Sequence, residues 1–197
     1  MKNLQKVYFP EDTKNSTLKY LSASAFQLCS ALTTIENLPD TIEYIGERCF
    51  RNDTDLLLEK LPDGLTFLGT EAFSDCRAIT FEKLPLGLTT IFAKTFAGCT
   101  AMKVSHFGHN TANIDMGALE NNIKYITLNA FASQYYDTAK NVNQLYIYNS
   151  VQHIGPGAFV SFGAPGLTVY DESGLITDDN SSSIFGKTIT LEQKEDA

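Results

Sequence analysis

Two consecutive stretches decide the fold: Leu61-Pro62-Asp63-Gly64-Leu65-Thr66-Phe67-Leu68-Gly69-Thr70-Glu71-Ala72-Phe73-Ser74-Asp75-Cys76 and Leu84-Pro85-Leu86-Gly87-Leu88-Thr89-Thr90-Ile91-Phe92-Ala93-Lys94-Thr95-Phe96-Ala97-Gly98-Cys99. The shared Leu, Pro, Gly, aliphatic, Phe and Cys positions mark an internal repeat. Outward from this pair, Phe26, Phe50, Phe131 and Phe159 occupy the place of Phe73 and Phe96. An aliphatic residue stands eight positions before each of the six (Leu18, Ile42, Leu65, Leu88, Ile123, Val151), and another stands five before (Leu21, Ile45, Leu68, Ile91, Ile126, Ile154). A unit of this size cannot bury an apolar face alone, so copies must stack. Successive phenylalanines are 24, 23, 23, 35 and 28 residues apart, so the later units carry insertions.

The pattern L-P-x-x-L-x-x-[LI]-G-x-x-A-F-x-x-C resembles the BspA-type leucine-rich repeats. The resemblance spans roughly residues 16–170. It implies an α/β solenoid, a right-handed coil with one short parallel strand and a short helical or 3₁₀ segment per repeat. It also implies a secreted or cell-surface setting with adhesion as the usual role. Some units depart from the pattern: Cys49 and Asp53 stand where it has Ala and Cys, and Gln134 and Phe162 stand at the Cys position of the last two.

Without the family, the residues point the same way. Pro62, Gly64, Pro85 and Gly87 exclude long helices. Leu65 and Leu68, followed by Ala72, Phe73 and Cys76, suit one inward-facing turn of helix or 3₁₀. Short strands are expected at Leu56–Leu58, Ile79–Phe81, Leu145–Tyr148 and Leu167–Tyr170. Parallel stacking about 4.8 Å apart would make six coils about 30 Å long. We read residues 1–197 as a single repeat domain: 1–15 as a cap or partial repeat, 16–170 as about six repeats, and 171–197 as a second cap and tail. Ile184, Phe185, Ile189 and Leu191 are apolar enough to dock in that second cap.

With 15 basic against 23 acidic residues, a net charge of −8 and no basic run, the chain lacks a nucleic-acid surface. It has no run of 18 apolar residues, and Met1–Lys6 lacks the apolar core of a signal peptide. Cys29, Cys49, Cys76 and Cys99 follow the repeat spacing and read as a column of buried thiols. His106 and His109 with Asp115 read as solvated loop residues and not as a metal site, and His153 invites no metal reading. No nucleotide-binding or hydrolase motif occurs, so we expect neither catalysis nor a cofactor.

Residues that packing does not require are free for binding. Glu36, Glu59 and Glu82 would align in one column beside Asn37, Lys60 and Lys83. Six of nine tyrosines follow residue 124. Alternation in Leu145-Tyr146-Ile147-Tyr148 points both tyrosines outward, and Tyr170 repeats the pattern. The insertion from Ser105 to Gly117 would border this patch. The expected function is a non-enzymatic module that binds a protein or glycan through its sheet face and inserted loops. The alternative is a structural spacer or assembly segment whose tyrosine patch docks against a neighbouring domain or another copy.

Overall fold

A computed structural model describes residues 2–13, 15–108, 123–132 and 138–193. The chain winds as a parallel β-solenoid whose strands are β1 (Lys6–Tyr8), β2 (Tyr20–Leu21), β3 (Thr34–Glu36), β4 (Tyr44–Ile45), β5 (Phe67–Leu68), β6 (Thr90–Ile91), β7 (His106–Phe107), β8 (Tyr125–Ile126), β9 (Gln144–Ile147), β10 (His153–Ile154), β11 (Thr168–Asp171) and β12 (Thr190–Gln193). One helix, α1 (Asp178–Phe185), lies between β11 and β12.

Each coil contributes to two walls, not to the single strand column expected from sequence. On the first wall run β2-β4-β5 and β6-β8-β10, all starting six residues before a repeat phenylalanine. On the second run β1-β3 and β7-β9-β11-β12. Expected strands at 145–147 and 168–170 are present within β9 and β11. Leu56–Leu58 and Ile79–Phe81 form no strand of their own and join the second wall through a bridge between Thr34 and Leu57 and through hydrogen bonds from Thr80 N–H to Leu58 C=O at 3.1 Å and from Lys103 N–H to Phe81 C=O at 2.9 Å.

The core is a stack of rings. Phe26, Phe50, Phe73, Phe96, Phe131 and Phe159 follow one another with centroids 5.2, 5.1, 6.1, 5.8 and 5.2 Å apart, all face to face. Phe185 of α1 adds a seventh ring 5.4 Å from Phe159. The helix takes the place of a further coil, because Phe159 N–H donates to Ile184 C=O at 3.0 Å. Asn180 accepts the Thr177 N–H at 2.9 Å at its start, and left-handed Gly186 (φ 66°) ends it.

No repeat carries the expected helical or 3₁₀ segment among the described residues. Ser24, Arg48, Glu71, Lys94, Asn129 and Gly157, each two before a repeat phenylalanine, have φ between 53° and 66°. Leu28, Asn52, Asp75, Gly98 and Ser161, each two after, have φ between 61° and 72°. A helix cannot propagate through left-handed residues. Instead the corner is a chain of tight turns. Ala72, Ser74 and Cys76 donate to Gly69, Glu71 and Phe73 within the coil at 3.0–3.1 Å, while Glu71, Phe73 and Asp75 donate to Ala93, Thr95 and Ala97 of the next coil. Alternate backbone groups thus close the turn and join the coils, which leaves the ring of Phe73 aimed inward.

Coil spacing follows one position. Gly46, Gly69 and Gly155 stand four before a repeat phenylalanine, and a Cβ added there would lie 2.5–2.6 Å from backbone nitrogen of the preceding coil. Ser22 holds this position in the first coil, which has no repeat ring before it, and Phe92 and Thr127 hold it in the two coils with wider ring spacing. The first wall also divides between β5 and β6, where Phe92 enters.

Candidate functional site

The second wall carries an aromatic stretch and a charged stretch on one outward face. Register places His106 beside Tyr146, Tyr146 beside Tyr170, and Tyr170 beside Glu192. Buried Leu145, Ile147 and Val169 alternate with these, so the pleat turns Tyr146 and Tyr170 outward. The His106 and Tyr146 rings stack at 4.5 Å, and Tyr146 and Tyr170 at 4.7 Å. Gln144 ties the two hydroxyls together: it accepts from Tyr146 at 3.3 Å and donates to Tyr170 at 3.5 Å. Burial, with the Tyr170 hydroxyl nearby, pushes the Tyr146 phenol above its ordinary value.

Tyr148 departs from the expected outward patch. Strand β9 ends at Ile147, so alternation stops there, and Tyr148 is 3% exposed behind His106. His106 is likewise no solvated loop residue. It lies buried in β7, its Nδ1 is 2.9 Å from Ser105 Oγ, and burial pulls its pKa down. His153 is exposed, in β10. His109, Asp115, Gln134, Tyr135, Tyr136 and most of the 105–117 insertion lie outside the described residues. Among the described residues no group of His, Cys, Asp and Glu could hold a metal ion.

Glu36, Glu59, Glu82, Asn37, Lys60 and Lys83 are all exposed. Glu59, Lys60, Glu82 and Lys83 do converge: with Thr80 and Lys103 they line a recess of about 410 Å³. A neighbouring recess of about 390 Å³ shares Glu59 and Lys60 and adds Asn37, Asp40, Leu57 and Pro62. Glu36 lines neither. Lys60 pairs with Asp40 at 3.2 Å, and Lys103 with Glu82 at 3.0 Å. Such exposed pairs contribute under about 1 kcal/mol. Glu59 and Lys83 have no ion pair among the described residues.

Sequence reasoning missed a second aromatic row. On the first wall the rings of Tyr20, Tyr44, Phe67 and Phe92 follow one another at 6.0, 4.6 and 5.3 Å. The signal was present, since Tyr20, Tyr44 and Phe67 each stand six before a repeat phenylalanine. These ring contacts, stacked between Tyr44 and Phe67 and tilted at the other two, weld coil to coil; only Tyr20 among the four is largely exposed, at 64%.

The cysteines offer no reactive thiol. All four are free and buried. Cys76 donates to Phe50 C=O at 2.9 Å and Cys99 to Phe73 C=O at 3.0 Å. Burial pushes the Cys49 thiol up to about 12. Asp53 holds the Cys position of its coil and accepts the Cys29 N–H at 2.8 Å. Thr138 lies beside Phe162, which holds the Cys position of the last coil. It bridges to Phe162 and donates to Phe131 C=O at 2.8 Å.

With the coil geometry and repeat positions in place, the family comparison is direct. The model of the BspA type leucine rich repeat region matches six copies over residues 19–137 and 83–165. The chain belongs to the BspA-type leucine-rich repeat family. Among solved structures, this repeat chain is similar to a leucine-rich repeat protein from Bacteroides ovatus, at 16% identity and TM-score 0.48 over 96% of this chain and 52% of that one. It is also similar to a leucine rich cell surface protein from Faecalibacterium prausnitzii, at 16% identity and TM-score 0.43 over 98% and 74% of the two chains. The chain thus spans about half the length of the Bacteroides protein. No curated protein matches it. No helix among the described residues is long and apolar enough to cross a membrane.

Proposed function

We propose that this leucine-rich repeat chain is a non-enzymatic binding module of a secreted or cell-surface protein, engaging a protein partner through the outward face of its second wall. The observation that carries the reading is the continuity of that face. A stacked Tyr146–Tyr170 pair, held by Gln144, follows a recess lined by five charged residues. Neither set fills the core. Tyrosine supplies wide contact area with a polar tip. The rigid coil holds these groups in place beforehand, so association orders few side chains. The surface setting follows the family to which the repeats belong.

The test is capture from surface-protein extracts and on a glycan array, with wild type and a Tyr146→Ala/Tyr170→Ala variant. Loss of protein capture with an unchanged melting temperature supports the reading. Undiminished capture refutes it, and binding to glycans alone moves the partner to another class.

A further inference from the structure

The coils are not all joined alike, and we propose that the chain hinges between β5 and β6, so that its outward face is carried by two blocks that pivot on each other. The inference rests on the binding reading above and concerns how that face adapts to its partner. At the boundaries on either side of this one, three backbone N–H groups of each coil donate to the coil before. Thr66, Phe67 and Gly69 donate to Glu43, Glu43 and Ile45 at 2.9–3.1 Å, and Lys124, Tyr125 and Thr127 donate to Thr89, Thr89 and Ile91 over the same range. The equivalent Thr89, Thr90 and Phe92 donate to no carbonyl among the described residues, and the carbonyls of Thr66 and Leu68 accept from none. The first wall is open along this seam.

Phe92 is the cause. It stands where Gly46 and Gly69 let the coils close, and a Cβ at either glycine would lie 2.5 Å from the preceding backbone. Thr127 holds the same place and keeps its bond to Ile91, so a small side chain there does not open the wall, whereas the Phe92 ring packs on Phe67 at 5.3 Å across the seam. The chain also enters out of step. Gly64 lies against Asp40 C=O, yet Gly87 lies against Leu65 C=O and not against Asp63, the counterpart of Asp40.

The bonds that cross the seam lie at the corner and on the second wall. Glu71, Phe73 and Asp75 donate to Ala93, Thr95 and Ala97 at 2.7–3.1 Å, Ala101 donates to Arg77 at 3.2 Å, and Lys103 donates to Phe81 at 2.9 Å. The Phe73 and Phe96 rings stay stacked at 6.1 Å. A body bonded along one side and open along the other pivots about the bonded side. The recess lies over that pivot: Glu59, Lys60, Thr80, Glu82 and Lys83 precede the seam, Lys103 follows it, and the exposed Lys103–Glu82 pair spans it at 3.0 Å. The Tyr146–Tyr170 stack rides on the second block. Pivoting therefore changes the width of the recess and the tilt of the aromatic stretch toward the charged one, and a partner selects the angle it fits.

The experiment combines amide hydrogen exchange with a distance measurement, and neither needs a partner. The Thr90 amide is expected to exchange at least about a hundredfold faster than those of Phe67 and Tyr125. Spin labels on Ser22→Cys and Gln152→Cys, two exposed sites on opposite sides of the seam, are expected to give a broad distance distribution; the four native thiols are buried. Adding Phe92→Gly, which restores the residue of the tight coils, is expected to narrow that distribution and to slow Thr90 exchange at least about tenfold. Thr90 protected as well as Phe67 and Tyr125, a single narrow distribution without Phe92→Gly, or a broad one that Phe92→Gly leaves unchanged would each overturn the proposal. Should Phe92→Gly prevent folding, exchange and distances in the chain that keeps Phe92 still decide it. Failure here with intact Tyr146- and Tyr170-dependent capture of a protein removes the hinge alone; loss of that capture removes the binding reading, whatever the seam does.

Discussion

Replacing Asp53 by asparagine should stabilise the protein above neutral pH and do little in acid. Asp53 is fully buried in the column that otherwise holds Cys29, Cys76 and Cys99, and desolvation pushes its carboxyl from 3.8 to about 7, against the pull of the Cys29 N–H. One oxygen accepts that N–H at 2.8 Å, while the other has no hydrogen-bond partner among the described residues. The titratable groups nearest it, Cys29, Cys49 and Cys76, are thiols whose own ionisation its charge opposes. Nothing in the column therefore favours the carboxylate except one backbone amide.

The sign follows from which state holds the proton. The unfolded chain releases it near 3.8 and the folded chain near 7, so folding takes up a proton between these values and stability falls as pH rises. Below pH 3.8 there is no penalty, and above about 7 it is complete. About three pH units at 1.36 kcal/mol each bound the loss at about 4 kcal/mol, a large share of the 5–15 kcal/mol typical of a folded domain. An asparagine keeps an oxygen for the Cys29 N–H and removes the charge. Urea unfolding of wild type and the Asp53→Asn variant from pH 4 to 8 gives the difference curve, in which groups common to both cancel. It should rise by roughly 2–4 kcal/mol in favour of the variant, with its steepest part between pH 4 and 7. A flat difference curve, or one that favours wild type at pH 8, would refute the reasoning.

Gly69→Ala should be costly, since its Cβ would meet backbone nitrogen of Glu47 at 2.5 Å; a loss of about 2 kcal/mol or more in urea unfolding is expected, and a neutral substitution would contradict the close-approach argument. Thiol labelling of the native protein should be negligible and should reach four groups per chain on denaturation, because all four cysteines are buried and burial raises each thiol. Rapid labelling of the folded chain would show that the column opens.

The apolar skeleton was legible because it repeats: stacking demands the same residue type at the same offset, and Phe26 to Phe159 meet that demand in every copy. The corner was not. Its left-handed positions hold Ser24, Arg48, Glu71, Lys94, Leu28 and Ser161, which give no sign of such backbone; Gly98 and Gly157 signal it, and Asn52, Asp75 and Asn129 do so more weakly. Hydrogen bonds from coil to coil, not local preference, hold these residues there, so a spacing that suits a helix folds as consecutive turns. Two-residue strands such as Tyr44–Ile45 are too short to show alternation, which hid the first wall and its aromatic row. Tyr148 failed for a related reason, since one residue beyond a strand end the pleat no longer decides direction. At the site, convergence of Glu59, Lys60, Glu82 and Lys83 was readable from the repeat, but Lys103 was not, because its place beside Glu82 depends on the path of the chain after Cys99.

The spacing of the coils links these features. Where glycine stands four before the phenylalanine, rings pack at 5.1–5.2 Å; where Phe92 and Thr127 stand, the gap opens to 6.1 and 5.8 Å. The looser coils are those ending in Phe96 and Phe131. Between those phenylalanines the chain gains its insertion and passes from the charged stretch of the second wall to the aromatic one. A glycine admits a neighbouring backbone at closest approach and so fixes one coil rigidly on the next. Its replacement relaxes that constraint without breaking the ring stack, because face-to-face aromatic contact is favourable over a range of about 4.5–7 Å. The longer insertion thus enters one of the two loosely spaced coils, whereas the shorter one, between Phe131 and Phe159, enters a coil that Gly155 still holds with its rings at 5.2 Å, so a coil can lengthen away from this corner without loosening its stack.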